Sequence, residues 1–103
     1  MHNCKIIMNR LAHKTLKQNL RFIKKFSIPY SLKVESIIYK SILTLKYSPN
    51  SNPIYKKTHH ILYRKLIVLN RYHVIYSFIQ NTVYIFYITD ARRSEDKYFN
   101  SLK

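Results

Sequence analysis

Apolar residues recur along this chain first with a helical period and then with a strand period. Lys5-Ile6-Ile7-Met8 reads as a short strand, and Asn9 as a break or cap. From Leu11 to Phe26 the pattern is helical. Ala12, Leu16, Leu20, Ile23 and Phe26 are spaced four, four, three and three apart and so share one face. Lys14, Lys17, Arg21 and Lys24 take nearly the opposite face, either as a solvated stripe or as a contact for a polyanion. Ser27-Ile28-Pro29 interrupts this helix, because proline lacks a donor and disfavours helix in the residue before it. A second helix is predicted from Tyr30 to Leu45. Val34, Ile38, Ile42 and Leu45 mark one face of it, and Leu32, Tyr39 and Leu43 mark another. Two apolar faces on one helix imply burial between layers or a face left for a partner. Together the two helices make a helical hairpin.

Ser48-Pro49-Asn50-Ser51-Asn52-Pro53 is turn chemistry throughout and divides a helical half from a strand half. Ile54 to His60 reads as loop or as the lead into a strand. Three strands are predicted after it: Ile61 to Leu69, Tyr72 to Ile79, and Thr82 to Thr89, the last rich in β-branched and aromatic residues. Asn70-Arg71 and Gln80-Asn81 are the tight connections between them, and two-residue turns make neighbouring strands antiparallel. After Asp90-Ala91-Arg92-Arg93, Ser94 reads as an N-cap with Glu95 and Asp96 in a first helical turn. Lys97 to Lys103 follows as a short terminal helix or frayed tail. The predicted fold is α+β. An N-terminal strand and a helical hairpin pack on a small twisted sheet that ends in a three-stranded antiparallel meander, all in one domain over residues 1–103.

Charge sharpens this picture. The chain carries 19 Lys and Arg against 4 Asp and Glu, a formal net charge of +15. Few of those cations can pair internally, so most must face solvent or an acidic partner such as nucleic acid, the ribosome or an acidic protein. No membrane partner is expected, since no long segment joins a basic face to a bulky exposed apolar one. The longest apolar run, Val83 to Ile88, is far too short to span a bilayer. Cys4 is the only cysteine, so no internal disulfide can form, and burial is its expected fate. Lys5 and Arg10 interrupt the N-terminal apolar stretch and no small-residue cleavage site follows, so the expected location is cytoplasmic.

Glycine is absent, which excludes a P-loop and a dinucleotide fingerprint, since both need glycine where backbone approaches phosphate. Four scattered acids make no carboxylate pair or oxygen-ligand site, and His59-His60, being adjacent, point to opposite faces if they lie in a strand. Neither a metal nor a small-molecule cofactor is expected.

What remains is His, Arg, Lys and Tyr on a sheet. RNA can be cut by its own 2′-hydroxyl. The protein then supplies a base, cations for the phosphoryl oxygens and a proton donor for the leaving oxygen. Arginine suits the phosphate role because its donors form a rigid fork, and histidine suits proton transfer because it titrates near neutrality. His73, Arg93 and Tyr98 are the candidates for catalysis. Arg64, Lys65 and Arg92 are the candidates for phosphate or target contact, with the expectation that Arg64, His73 and Arg92 converge near adjacent strand ends. Each also has a plain structural reading: Arg64 on a sheet edge, His73 half-buried, Tyr98 packing a terminal helix.

The phrases Tyr63-Arg64-Lys65-Leu66-Ile67-Val68, Arg71-Tyr72-His73-Val74-Ile75-Tyr76, Thr82-Val83-Tyr84-Ile85-Phe86-Tyr87-Ile88 and Asp90-Ala91-Arg92-Arg93 stand in an order and spacing that resembles the RelE/ParE family, the toxins of type II toxin–antitoxin systems. The resemblance covers essentially the whole chain. It implies a growth-inhibiting toxin and a cognate acidic antitoxin that masks it. RelE-type members cut mRNA in the ribosome, leaving a 2′,3′-cyclic phosphate, whereas ParE-type members inhibit DNA gyrase without being enzymes; both readings stay open here. A non-toxic basic nucleic-acid-binding domain or a degenerate toxin is a further reading. The RelE pattern carries an arginine where this chain has His73. Arg93 matches the family's basic residue after the last strand, and either Tyr98 or Phe99 fills its terminal aromatic slot.

Overall fold

Local capping fixes where the helices begin. Asn9 accepts the amide of Ala12 on its side-chain oxygen at 2.8 Å and starts helix α1 (Arg10–Lys24). Ser27 accepts the amide of Tyr30 at 3.1 Å and starts helix α2 (Ile28–Leu43), with Pro29 inside the first turn. The sequence reading begins α2 two residues later, at Tyr30. Proline is tolerated in a first turn because its missing N–H would have no intrahelical partner there. The structure, a computed structural model, describes residues 4–92. The predicted Ser94 cap and the helix from Lys97 to Lys103 lie outside that range, as do Arg93, Tyr98 and Phe99.

Strand β1 (Lys5–Met8) precedes α1. After α2 come a short 3₁₀ turn (Thr44–Lys46) and strands β2 (Ile54–Lys57), β3 (Leu62–Val68), β4 (Tyr72–Ile79) and β5 (Thr82–Asp90). The strands form one mixed sheet in the order β1-β5-β4-β3-β2, with β1 parallel to β5 and every other pair antiparallel. The fold is therefore α+β, two helices packed on a five-stranded mixed sheet. The meander of β3, β4 and β5 lies where the alternation places it. The added piece is β2, an edge strand with a bulge between Ile54 and Lys56, in the stretch left open between loop and strand.

The core lies between the helices and one face of the sheet. Ala12, Leu16 and Ile23 from α1 meet Val34, Ile38 and Ile42 from α2 over Leu66, Val74, Tyr76, Val83, Ile85 and Ile88, and Cys4 is buried with them. Phe26 departs from the predicted α1 face. The helix stops at Lys24, and Phe26 is 78% exposed. Leu45 is buried as predicted, in the 3₁₀ turn rather than in α2. A second cluster of Tyr63, Ile75 and Tyr87, with Leu11, Tyr55, Ile61 and Phe86, fills the other face of the sheet.

Without glycine, the two hairpin turns hold Leu69, Asn70, Gln80 and Asn81 at positive φ (56°, 52°, 49° and 61°). Positive φ at both central residues is the type I′ signature that matches the twist of the flanking strands. The first turn sits one residue earlier than predicted, on Leu69-Asn70, with Arg71 donating its amide to the Val68 carbonyl at 3.1 Å. A leucine at φ 56° is strained by its Cβ, at a cost of about 1 kcal/mol. Leu69→Gly is accordingly expected to leave the fold unchanged and not to lower the melting temperature, although glycine normally loosens the unfolded chain. Leu69→Asn is expected to raise it by a few degrees, read by thermal denaturation.

Candidate functional site

Strand pairing decides which of the predicted residues can act together. Side chains alternate between the faces of a strand, and residues paired across strands share a face. Arg64 pairs with Tyr76, whose ring belongs to the helix-side core, so Arg64 stands on that side. His73 pairs with Ile67 and Thr89, and its neighbour Lys65 pairs with Ile75, so both stand on the other side, with Tyr63 and Tyr87. The expected convergence of Arg64 with His73 is therefore corrected. Their pairs stand three steps apart along β3 and β4, an odd number, and this puts them on opposite faces of the sheet.

Arg64 has a local task instead. Its Nη1 donates to the Asn52 carbonyl at 2.7 Å, the Asn52 side-chain amide donates to the Tyr76 hydroxyl at 3.1 Å, and that hydroxyl donates to the Pro49 carbonyl at 2.8 Å. These bonds tie the Ser48–Pro53 turn to the sheet. Burial pushes the Tyr76 phenol above its ordinary value, which keeps it a proton donor at neutral pH.

Lys65 and His73 are diagonal neighbours across β3 and β4, about 7–8 Å apart in regular sheet geometry. The Lys65 ammonium lies 5.1 Å from the centroid of the Tyr55 ring, and the Lys56 ammonium lies 5.6 Å from the same centroid. Lys56 pairs with Tyr63 and joins this face. Burial raises the Tyr63 hydroxyl above its ordinary value. This face thus carries two ammonium groups and an imidazole above buried phenols, and ammonium and imidazole are groups able to hold a phosphate and move a proton.

Arg92 is placed elsewhere. Asp90 ends β5 opposite Tyr72 on the helix side and is only 4% exposed. Among the described residues its carboxylate accepts five hydrogen bonds. Arg92 donates its amide and Nε to Oδ1 at 3.0 and 3.2 Å and its Nη2 to Oδ2 at 3.0 Å. Arg71 donates Nε and Nη2 to Oδ2, both at 3.2 Å. The Arg71 guanidinium also lies 5.4 Å from the centroid of the Tyr72 ring. At the end of β5, Asp90 is therefore a carboxylate held between two guanidiniums. Arg71, read from sequence only as a turn residue, was the missed member. The signal for it was the Asp90 on β5, which needs a buried counter-charge once that strand runs one residue further than predicted.

Burial pushes the Asp90 carboxyl up, but the hydrogen bonds from Arg92 and Arg71 outweigh it and hold it at about 2, below its ordinary 3.8. A depressed carboxylate stabilises the fold above its unfolded value and loses that contribution as pH falls from 3.8 toward 2. The shift corresponds to about 2 kcal/mol. Asp90→Asn is expected to lower stability by about that amount at neutral pH, with the difference from the parent chain shrinking toward pH 2. Urea unfolding across that range measures it.

His59 and His60 lie in the bend between β2 and β3, not in a strand, and their rings touch at 4.0 Å rather than pointing apart. The Thr58 hydroxyl there accepts the amides of His60 and Ile61. Among the described residues no three of His, Cys, Asp or Glu gather into a group that could hold a metal ion. Nor is any described helix long and apolar enough to cross a membrane. Neither a protein-family model nor a curated protein matches this sequence.

Proposed function

We propose that the chain is a growth-inhibiting toxin of the RelE/ParE kind, acting on translating ribosomes as a metal-independent mRNA endonuclease and held in check by an acidic antitoxin. The observation that carries this reading is that Lys65 and His73 stand on the same face of the meander, in a chain of net charge +15. The order of strand, helical hairpin and antiparallel meander agrees with what the resemblance implies.

In this mechanism the 2′-hydroxyl of the message attacks the adjacent phosphorus. The bond from the 2′-oxygen to phosphorus forms, the bond from phosphorus to the 5′-oxygen breaks, and a 2′,3′-cyclic phosphate remains. His73 takes the proton from the 2′-hydroxyl, Lys65 steadies the charge on the phosphoryl oxygens, and Arg93 and Tyr98 complete the set as phosphate contact and proton donor. Arg64 and Arg92 act in positioning, the first on the Ser48–Pro53 turn and the second on the end of β5.

A second reading is favoured by one observation. Arg64 and Arg92, two of the cations expected on phosphate, are engaged by Asn52 and Asp90. A chain with that smaller phosphate set suits a ParE-type grip on DNA gyrase, without chemistry. Induced expression in bacteria separates the classes. The endonuclease reading expects growth arrest with cut messages, and the gyrase reading expects arrest with intact messages and relaxed plasmids. Unimpaired growth contradicts both and leaves a basic binding domain.

A further inference from the structure

The tip of the helical hairpin, where α1 ends and α2 begins, turns large apolar side chains outward. Phe22, Phe26, Ile28 and Tyr30 are 37%, 78%, 55% and 45% exposed. The link between the helices holds them there. The Phe26 and Ser27 amides both donate to the Ile23 carbonyl, at 2.9 and 3.0 Å, and the Ser27 hydroxyl accepts the Tyr30 amide that starts α2. Phe26 is thus presented on a fixed turn, with its ring centroid 5.5 Å from that of Phe22. The stretch from Phe22 to Tyr30 spans a helix break, so periodicity along the chain does not gather these side chains, and the turn does.

Cations surround this tip. Lys17, Arg21 and Lys24 line one concavity together with Ile28, and Lys25 is exposed next to Phe26. Arg71 lines a second concavity with Phe22, Phe26 and Tyr30, but its guanidinium is engaged by Asp90. Among the described residues lining these two hollows Glu35 is the only acid, and it stands about two helical turns on from Ile28. The surface is therefore an apolar tip in a basic collar. A bilayer containing anionic lipids matches both parts. Aromatic and aliphatic side chains settle among the headgroups, while the stems of Lys and Arg let their charges reach the phosphates.

We infer that the hairpin tip docks on the surface of an anionic lipid bilayer, with Phe22, Phe26, Ile28 and Tyr30 entering the headgroup layer and Arg21, Lys24 and Lys25 on the lipid phosphates. The contact is peripheral, since no described helix is long and apolar enough to cross. Single-stranded nucleic acid competes for the same features, because its bases stack on exposed rings beside cations. Two observations favour the bilayer. The Phe22 and Phe26 rings meet edge to face at 66°, so they form no parallel pair for a base to enter. Ile28, more exposed than Tyr30, has no π-face to stack on, whereas apolar area of any shape gains by leaving water for the headgroup layer. A second copy of this chain does not fit, since each carries a net charge of +15 and like charges repel. The inference does not depend on the toxin reading. It concerns where the chain is held, not what it acts on.

The test uses the full chain, which has no tryptophan of its own. Phe26→Trp therefore places a single fluorescent reporter at the tip. With vesicles of phosphatidylcholine and phosphatidylglycerol in about equal parts, its emission is expected to move to shorter wavelength and to be quenched by brominated lipid. Phosphatidylcholine vesicles alone are expected to leave it unmoved. In co-sedimentation with the mixed vesicles, Phe26→Ala is expected to weaken binding about tenfold or more, and Lys24→Gln and Lys25→Gln about fivefold each, with melting temperatures near that of the parent. If Phe26→Ala binds the mixed vesicles as well as the parent does, charge alone holds the chain and the inference is overturned. Emission unmoved by the mixed vesicles overturns it as well. A shift produced by a single-stranded oligonucleotide and not by vesicles overturns it in favour of a base-stacking surface. Neither ribosome nor gyrase takes part, so failure here leaves the endonuclease reading standing, and failure of that reading leaves this one.

Discussion

Thr15→Val combined with Asn19→Leu is expected to lower the unfolding free energy by about 4 kcal/mol, a large part of the 5–15 kcal/mol typical of a domain. The reason lies in where β1 stops. It pairs with β5 only from Lys5 to Met8, reaching Ile85, and Asn9 then donates its amide to the Ile85 carbonyl. Beyond that point no strand among the described residues lies on the β1 side of β5, and Ile88 there is buried. Helix α1 supplies the missing partners from its side chains. The Thr15 hydroxyl accepts the Ile88 amide at 2.9 Å and donates to the Leu11 carbonyl at 2.8 Å. The Asn19 side-chain amide donates to the Ile88 carbonyl at 3.1 Å and to the Thr15 carbonyl at 2.9 Å. Both residues are nearly inaccessible. Removing them orphans one buried donor and one buried acceptor of Ile88, at about 1–3 kcal/mol each. Chemical denaturation measures the loss, with Lys17→Ala on the exposed side of α1 as a near-neutral control. A combined loss below about 1 kcal/mol would mean that water or a shifted strand takes over these bonds.

His73→Ala is expected to slow message cleavage by about a hundredfold to ten-thousandfold, the range for losing a positioned proton-transfer group. It is expected to change stability by less than about 1 kcal/mol, since His73 is only half-buried. Lys65→Ala is expected to slow cleavage as well, by removing charge from the developing phosphoryl oxygens rather than a proton carrier. Arg64→Ala supplies the contrast. It frees the Asn52 carbonyl and loosens the Ser48–Pro53 turn, so its effect is expected first in the melting temperature. A cleavage rate that falls more for Arg64→Ala than for His73→Ala, with the fold intact, would move the chemistry to the helix side of the sheet.

The residues that define the fold were legible for a physical reason. Periods of 3.6 and 2 reveal burial on one side. Val34, Ile38 and Ile42 marked the packed face of α2, and the alternation from Tyr72 to Thr89 marked the central strands. Polar pairings were not legible. That Arg64 and His73 part company depends on the register of β3 against β4, which no short pattern encodes. That Asp90 takes both Arg71 and Arg92 depends on the two ends of a hairpin meeting, 19 residues apart in the chain. Thr15 and Asn19 looked like ordinary polar positions in an amphipathic helix. Their role appears only once β1 is seen to end short of β5. The second apolar face around Leu32, Tyr39 and Leu43 was visible from periodicity, and all three side chains are exposed in the structure.

The central claim is chemical, and one side-by-side assay addresses it. Purified protein is added to a reconstituted translation system and, separately, to a gyrase supercoiling reaction. The account predicts messages cut on ribosomes with 2′,3′-cyclic phosphate ends, loss of that cutting on His73→Ala, and untouched supercoiling. Intact messages would contradict it, and a block of supercoiling in the same preparation would assign the protein to gyrase instead.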